Sequence, residues 1–132
     1  MKLSGRPGTY LVLLALLVVC ACQAETTSSG NISADEFLAA PPAGALLLDV
    51  RTRQEFAVGH IAGAMNVPHD ELATRVSELP GGPDRTLIVY CKSGRRAGLA
   101  TSVLVDAGYS KILHLEGDMN AWRAAGRPLE IP

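Results

Sequence analysis

An α/β domain built on a small parallel sheet is the fold class this sequence predicts, and three observations carry that prediction. Three runs rich in aliphatic residues stand along the chain: "ALLLDV" at 45–50, "TLIVY" at 86–90 and "KILHL" at 111–115. Runs with little polar alternation suit strands covered on both faces, as parallel strands are. Stretches with helical spacing separate and follow them, and strands alternating with helices join by right-handed crossovers. The bulk numbers agree: 132 residues, 48% hydrophobic and 19% charged, fit one globular domain whose core is mainly aliphatic.

The first 21 residues stand apart from this domain. Lys2 and Arg6 precede an uncharged apolar segment at 10–19, about half the ~20 residues a membrane-spanning helix needs. That is the pattern of a signal peptide. In "VCAC", small Ala21 directly precedes Cys22, which resembles a bacterial lipobox. The expectation is removal of residues 1–21 and lipidation of Cys22. The domain would then be anchored by an N-terminal lipid on the periplasmic side of a membrane, the outer membrane favoured by Gln23. An ordinary secretory cleavage nearby and a retained membrane anchor are the alternatives.

Cleavage leaves ten basic against thirteen acidic residues, a net charge of −3, with no basic block. Nucleic acid is thereby disfavoured as a partner. Cleavage also removes Cys20, and lipidation makes Cys22 a thioether, so Cys91 becomes the single free thiol of the three cysteines. A lone cysteine in an exported protein is a reactive-thiol candidate, and an inert core cysteine is its bland rival.

Residues 22–31, small and polar, read as a tether, and 32–132 as the domain. "SADE" at 33–36 is a capping-box pattern that starts a helix, ended by "PPAG" at 41–44. After the strand at 45–50, "TRQEFAVGH" has helical spacing and "AMNVP" is a short extended piece. "DELATRVSEL" at 70–79 places Leu72, Val76 and Leu79 on one helical face. "PGGPD" is a loop ahead of the strand at 86–90. The helix after Cys91 is expected to turn Leu99, Val103 and Leu104 inward and to stop at Gly108. The strand at 111–115 leads to a last helix, "DMNAWRAAG", closed by Gly126.

Cys91 falls at the carboxyl end of a predicted parallel strand, where α/β sheets bind ligands. Lys92, Ser93 and Gly94 follow, and a helix opens near Arg96. Backbone N–H groups of such a turn form an anion-binding nest, and the helix start adds its positive dipole end. Lys92, Arg95 and Arg96 add formal charge. Each contribution favours thiolate over thiol, and Gly94 lets the chain fold back toward the sulfur.

"LLDVRTRQEFAVGHIAGAMNVP", "VYCKSGRRA" and "AGYSKILHLEGDMNAW", in this order, resemble a single-domain rhodanese over residues 32–132. The resemblance implies a rhodanese-like fold, a small central parallel sheet with helices on both faces. It implies sulfur transfer from thiosulfate or a similar donor to cyanide or a thiol through a persulfide on Cys91, with no metal or organic cofactor. The donor would meet Lys92, Ser93, Gly94, Arg95 and Arg96. Related phosphatases and arsenate reductases have a loop one residue longer, and that count from Cys91 ends on Ala97. A non-turnover binding or sensing module with the same fold is the rival from another class. Two positions depart from the family pattern: Ala97 stands where serine is frequent, and Asp118 where a second glycine often follows Gly117.

Asp49 and Arg51 end the strand beside Cys91 and read as an ion pair bracing that edge, with Arg51 also a candidate donor contact. His60 reads as a backbone-bonding support of its turn. His69 and His114 lack partners at metal-ligand spacing, so no metal is expected. Trp122 reads as core. A periplasmic thiol protein is the expected macromolecular partner.

Overall fold

The computed structural model describes residues 28–132. The proposed signal segment at 1–21 and Cys22 lie outside them. The elements are β1 (Ser28–Ile32), α1 (Ala34–Ala39), β2 (Leu46–Asp49), α2 (Arg53–Val58), β3 (Met65–Asn66), α3 (Leu72–Arg75) with a 3₁₀ turn at Val76–Glu78, β4 (Leu87–Tyr90), α4 (Arg95–Asp106), β5 (Lys111–Leu115) and α5 (Asp118–Ala124). The strands form one parallel sheet in the order β1-β5-β4-β2-β3. This is the parallel-sheet α/β architecture the motifs imply.

The aliphatic runs divide because successive side chains on a strand point to opposite faces. Leu46, Leu48, Leu87 and Val89 pack with Leu72, Ala100 and Leu104 beneath α3 and α4. Leu47, Ile88 and Leu115 pack with Met119 and Trp122 beneath α5, with Phe37 of α1 against them. Helices therefore cover both faces. Both short helices on the way to the site start with capping boxes, Ser33 with Glu36 and Thr52 with Glu55.

Two expectations needed correction. Residues 28–31, read as tether, belong to β1, which pairs with β5 from Ser28↔Lys111 to Ile32↔Leu115. An edge strand bonds on one side only, so "SSGNI" holds its register through backbone, with Ile32 buried and no apolar pattern to betray it. In α4 the inward face is Ala97, Ala100 and Leu104, while Leu99 is 51% exposed. Small alanines let the helix lie close on the sheet, and a leucine at 99 falls on the opposite side of the turn.

Candidate active site

Parallel pairing of β2 with β4 brings Asp49 opposite Tyr90, so the residues that follow both strands emerge at one edge. Val50 N–H donates to the Tyr90 carbonyl (3.0 Å) and locks the register there. Cys91 leaves β4 with 1% of its surface exposed. The chain turns through Lys92, Ser93 and Gly94 into α4. Gly94 adopts φ +104°, a left-handed conformation that suits glycine. The turn aims the Gly94 N–H at Cys91 Sγ, 3.0 Å away. A Cβ on Gly94 would also lie 3.1 Å from Asp118 Oδ2 and 3.4 Å from His114 Cε1. Conformation and space both demand glycine here.

The loop is held from behind by the start of α5. Met119 and Asn120 donate their N–H groups to the Cys91 and Lys92 carbonyls, each at 3.0 Å. Cys91 N–H donates to Asp118 Oδ1 at 2.9 Å, and His114 Nε2 lies 3.0 and 2.9 Å from the two Asp118 oxygens. Asp118 is buried, with its carboxylate turned under the loop to the Cys91 N–H.

Asp49 and Arg51 form a buried ion pair at the end of β2. Arg51 Nη2 lies 2.6 Å from Asp49 Oδ2 and donates to the Gly59 carbonyl at 2.9 Å, while Nε bonds both Asp49 oxygens. Burial pulls the Arg51 pKa down, but the Asp49 bonds and charge outweigh it and hold the guanidinium above its ordinary value. Burial, then the Asp49 charge, pushes the Tyr90 phenol up; its oxygen accepts the Ile61 N–H at 3.2 Å. His60 supports its turn: it stacks on Phe56 (centroids 3.6 Å), its Nδ1 lies 3.1 Å from the Phe56 carbonyl, and its backbone bridges Glu130. Trp122 is core, with Nε1–H donating to the Pro128 carbonyl.

The loop cations divide. Arg96 is engaged by Glu55 of α2 through two bonds, Nη1 to Oε2 at 2.6 Å and Nη2 to Oε1 at 2.9 Å. The Arg96 bond is the main reason the Glu55 carboxyl falls to about 2, and Glu55 raises Arg96 in turn. Arg95 and Ser93 are exposed on the loop and helix start. Lys92 opens onto a cleft of about 360 Å³ between α2 and α5 that also has Arg51, Glu55, Val58, Met119 and Arg123 in its wall. Among the described residues Lys92, Arg95 and Arg123 make no ion pair. Sequence reasoning missed Glu55, Met119 and Arg123. The helical spacing of "TRQEFAVGH" placed Glu55 on a helix, but its partner lies 41 positions away. Nothing local marks Arg123.

The arrangement offers an anion-stabilising N–H on a thiol at a strand end, next to a cleft with unpaired cations. Residues 33–125 match the family described as rhodanese-like domain. The chain is 39% identical over 87 residues to a protein named sulfurtransferase from Allochromatium vinosum, covering 66% of this chain and 79% of that one. It is 38% identical over 96 residues to thiosulfate sulfurtransferase 16, chloroplastic, of Arabidopsis thaliana, covering 65% and 80%. A solved rhodanese-related protein from Thermoplasma volcanium superposes with a TM-score of 0.67 at 28% identity, covering 77% and 98%. Two further relatives are longer, and the matched segments make up 45% and 52% of their length.

Proposed function

Because the chain belongs to the rhodanese-like family, with relatives named sulfurtransferases, we propose that it moves a sulfane sulfur from thiosulfate or a similar donor to cyanide or a thiol through a Cys91 persulfide. The observation that supports this reading best is the Gly94 N–H lying 3.0 Å from Sγ. A thiolate at Cys91 attacks the outer sulfur of thiosulfate; the Sγ–S bond forms and sulfite leaves with the electron pair of the broken S–S bond. The negative charge then rests on the outer sulfur of the persulfide. Cyanide attacks that sulfur, thiocyanate departs, and the Cys91 thiolate returns. Both half-reactions balance without an oxidant or a metal.

Each protein group has a task in this scheme. Gly94 N–H stabilises the sulfur anion. Lys92 and Arg123 draw the dianionic donor into the cleft, whose wall also contains Arg51 with its guanidinium engaged by Asp49. Arg96, tied to Glu55, holds α2 against the loop. Export and an acylated Cys22 complete the proposal, placing the reaction on the periplasmic side of a membrane with small thiols or a thiol protein as acceptor. Turnover of thiosulfate and cyanide, run beside a phosphatase substrate, tests it. Thiocyanate formation that Cys91→Ser abolishes supports sulfur transfer. Phosphate release alone, or neither product, contradicts it.

A further inference from the structure

Among the described residues Asp118 is the one non-glycine whose backbone lies in the left-handed region, with φ +53°. That conformation is unfavourable for an L-residue, although aspartate is one of the few that visit it. Asp118 is also 2% exposed, and a buried carboxylate is costly unless partnered. Strain and buried charge thus fall on a single residue, at a position where the similar family tends to have glycine.

All of the carboxylate's contacts lead to the nucleophile loop or to the side chain that supports it. Oδ1 accepts the Cys91 N–H at 2.9 Å, and Oδ2 lies under Gly94, where a Cβ would approach to 3.1 Å. His114 reaches in from near the end of β5 to both oxygens and passes close beneath Gly94 as well. Cys91 and Gly94 are the two residues whose N–H···S contact defines the loop. The pair therefore holds one of them by a charge-assisted hydrogen bond and underlies the other.

From this placement we infer that Asp118, backed by His114, is a positioning residue for Cys91. It fixes the cysteine backbone so that Sγ meets the Gly94 N–H, and acts on the rate of attack rather than on donor affinity. Glycine at 118 would be conformationally easier but leaves the buried Cys91 N–H without its acceptor. Asparagine tolerates the same backbone and retains an oxygen for that N–H. The role rests on the sulfur-transfer reading for its kinetics, but not for the intrinsic reactivity of the thiol.

The test uses the purified protein and its Asp118→Gly and Asp118→Asn variants in two assays. One is single-turnover sulfur loading from thiosulfate. The other is alkylation of Cys91 by neutral iodoacetamide at alkaline pH, followed on the Cys91 peptide by mass spectrometry. Asp118→Gly should slow both by roughly tenfold, the scale of a lost charge-assisted bond, with the donor concentration at half-maximal rate unchanged. Asp118→Asn should restore most of the rate. Should Asp118→Gly not fold, Asp118→Ser, with its oxygen one bond nearer the backbone, takes its place.

An Asp118→Gly protein that loads and alkylates like wild type overturns the inference. So does an Asp118→Asn protein as slow as the glycine variant, because charge rather than the hydrogen bond would then be the agent. If wild type takes up no sulfur yet alkylation follows the expected order, the sulfur-transfer reading falls and the positioning role stands.

Discussion

Replacing Glu55 by glutamine isolates one ion pair, because glutamine still serves the capping box with Thr52 while the charge facing Arg96 disappears. Glu55 sits at about 2 against an ordinary 4.5, chiefly through its bond to Arg96. Unscreened, a shift of that size corresponds to about 3 kcal/mol. The partners retain 21% and 31% exposure, so solvent screening and side-chain ordering reduce the expected loss to about 1–2 kcal/mol. For a domain of this size that lowers Tm by roughly 5–10 °C. The sign with pH follows from a folded-state pKa below the unfolded one. The pair's stabilisation is complete above pH 4.5 and is lost as pH falls toward about 2. Urea unfolding of wild type and Glu55→Gln at a series of pH values reads this directly. The stability gap should be widest near neutrality and close progressively below pH 4.5. A gap that is absent at neutral pH, or constant down to pH 3, refutes the argument.

Three further outcomes are expected. Gly94→Ala places a Cβ at φ +104° and 3.1 Å from Asp118 Oδ2; it should keep its circular-dichroism spectrum yet lose roughly tenfold or more in sulfur loading, a strain of about 1–3 kcal/mol being concentrated at the sulfur-facing N–H. Lys92→Ala and Arg123→Ala should each raise the thiosulfate KM several-fold, about 1 kcal/mol, with little change in kcat and with an effect that fades in high salt. Mass spectrometry of the native N-terminus should find an acylated Cys22; an unmodified start elsewhere removes the membrane part of the proposal.

What could be read from the sequence was what is local. β2 and β4 announce themselves because strands covered on both faces need unbroken aliphatic runs. The cysteine loop is visible because strand end, glycine and helix start lie within a few consecutive residues. β1 is invisible for the converse reason: its pairing partner, β5, lies about eighty positions on, and a polar edge strand needs no pattern of its own. The same distance effect hid the partner of Arg96. From the loop alone this arginine reads as a donor contact, whereas Glu55, brought in by α2, occupies its fork. Asp118 was legible as a departure from the family but its direction was not, since only the docking of α5 turns its carboxylate under the loop. Leu99 illustrates the limit of hydrophobic spacing: beside a sheet, alanine at the contact face outranks leucine one step around the helix.

Sulfur transfer by this protein requires that Cys91 carry sulfur between two half-reactions. Incubating the protein with thiosulfate and no acceptor, then recording the intact mass and the Cys91 peptide, measures this without assuming any acceptor. A species one sulfur atom heavier on Cys91, stripped by cyanide or a reducing thiol and never formed by Cys91→Ser, is the expected result. An unchanged mass in wild type, or the same added sulfur in Cys91→Ser, would contradict it.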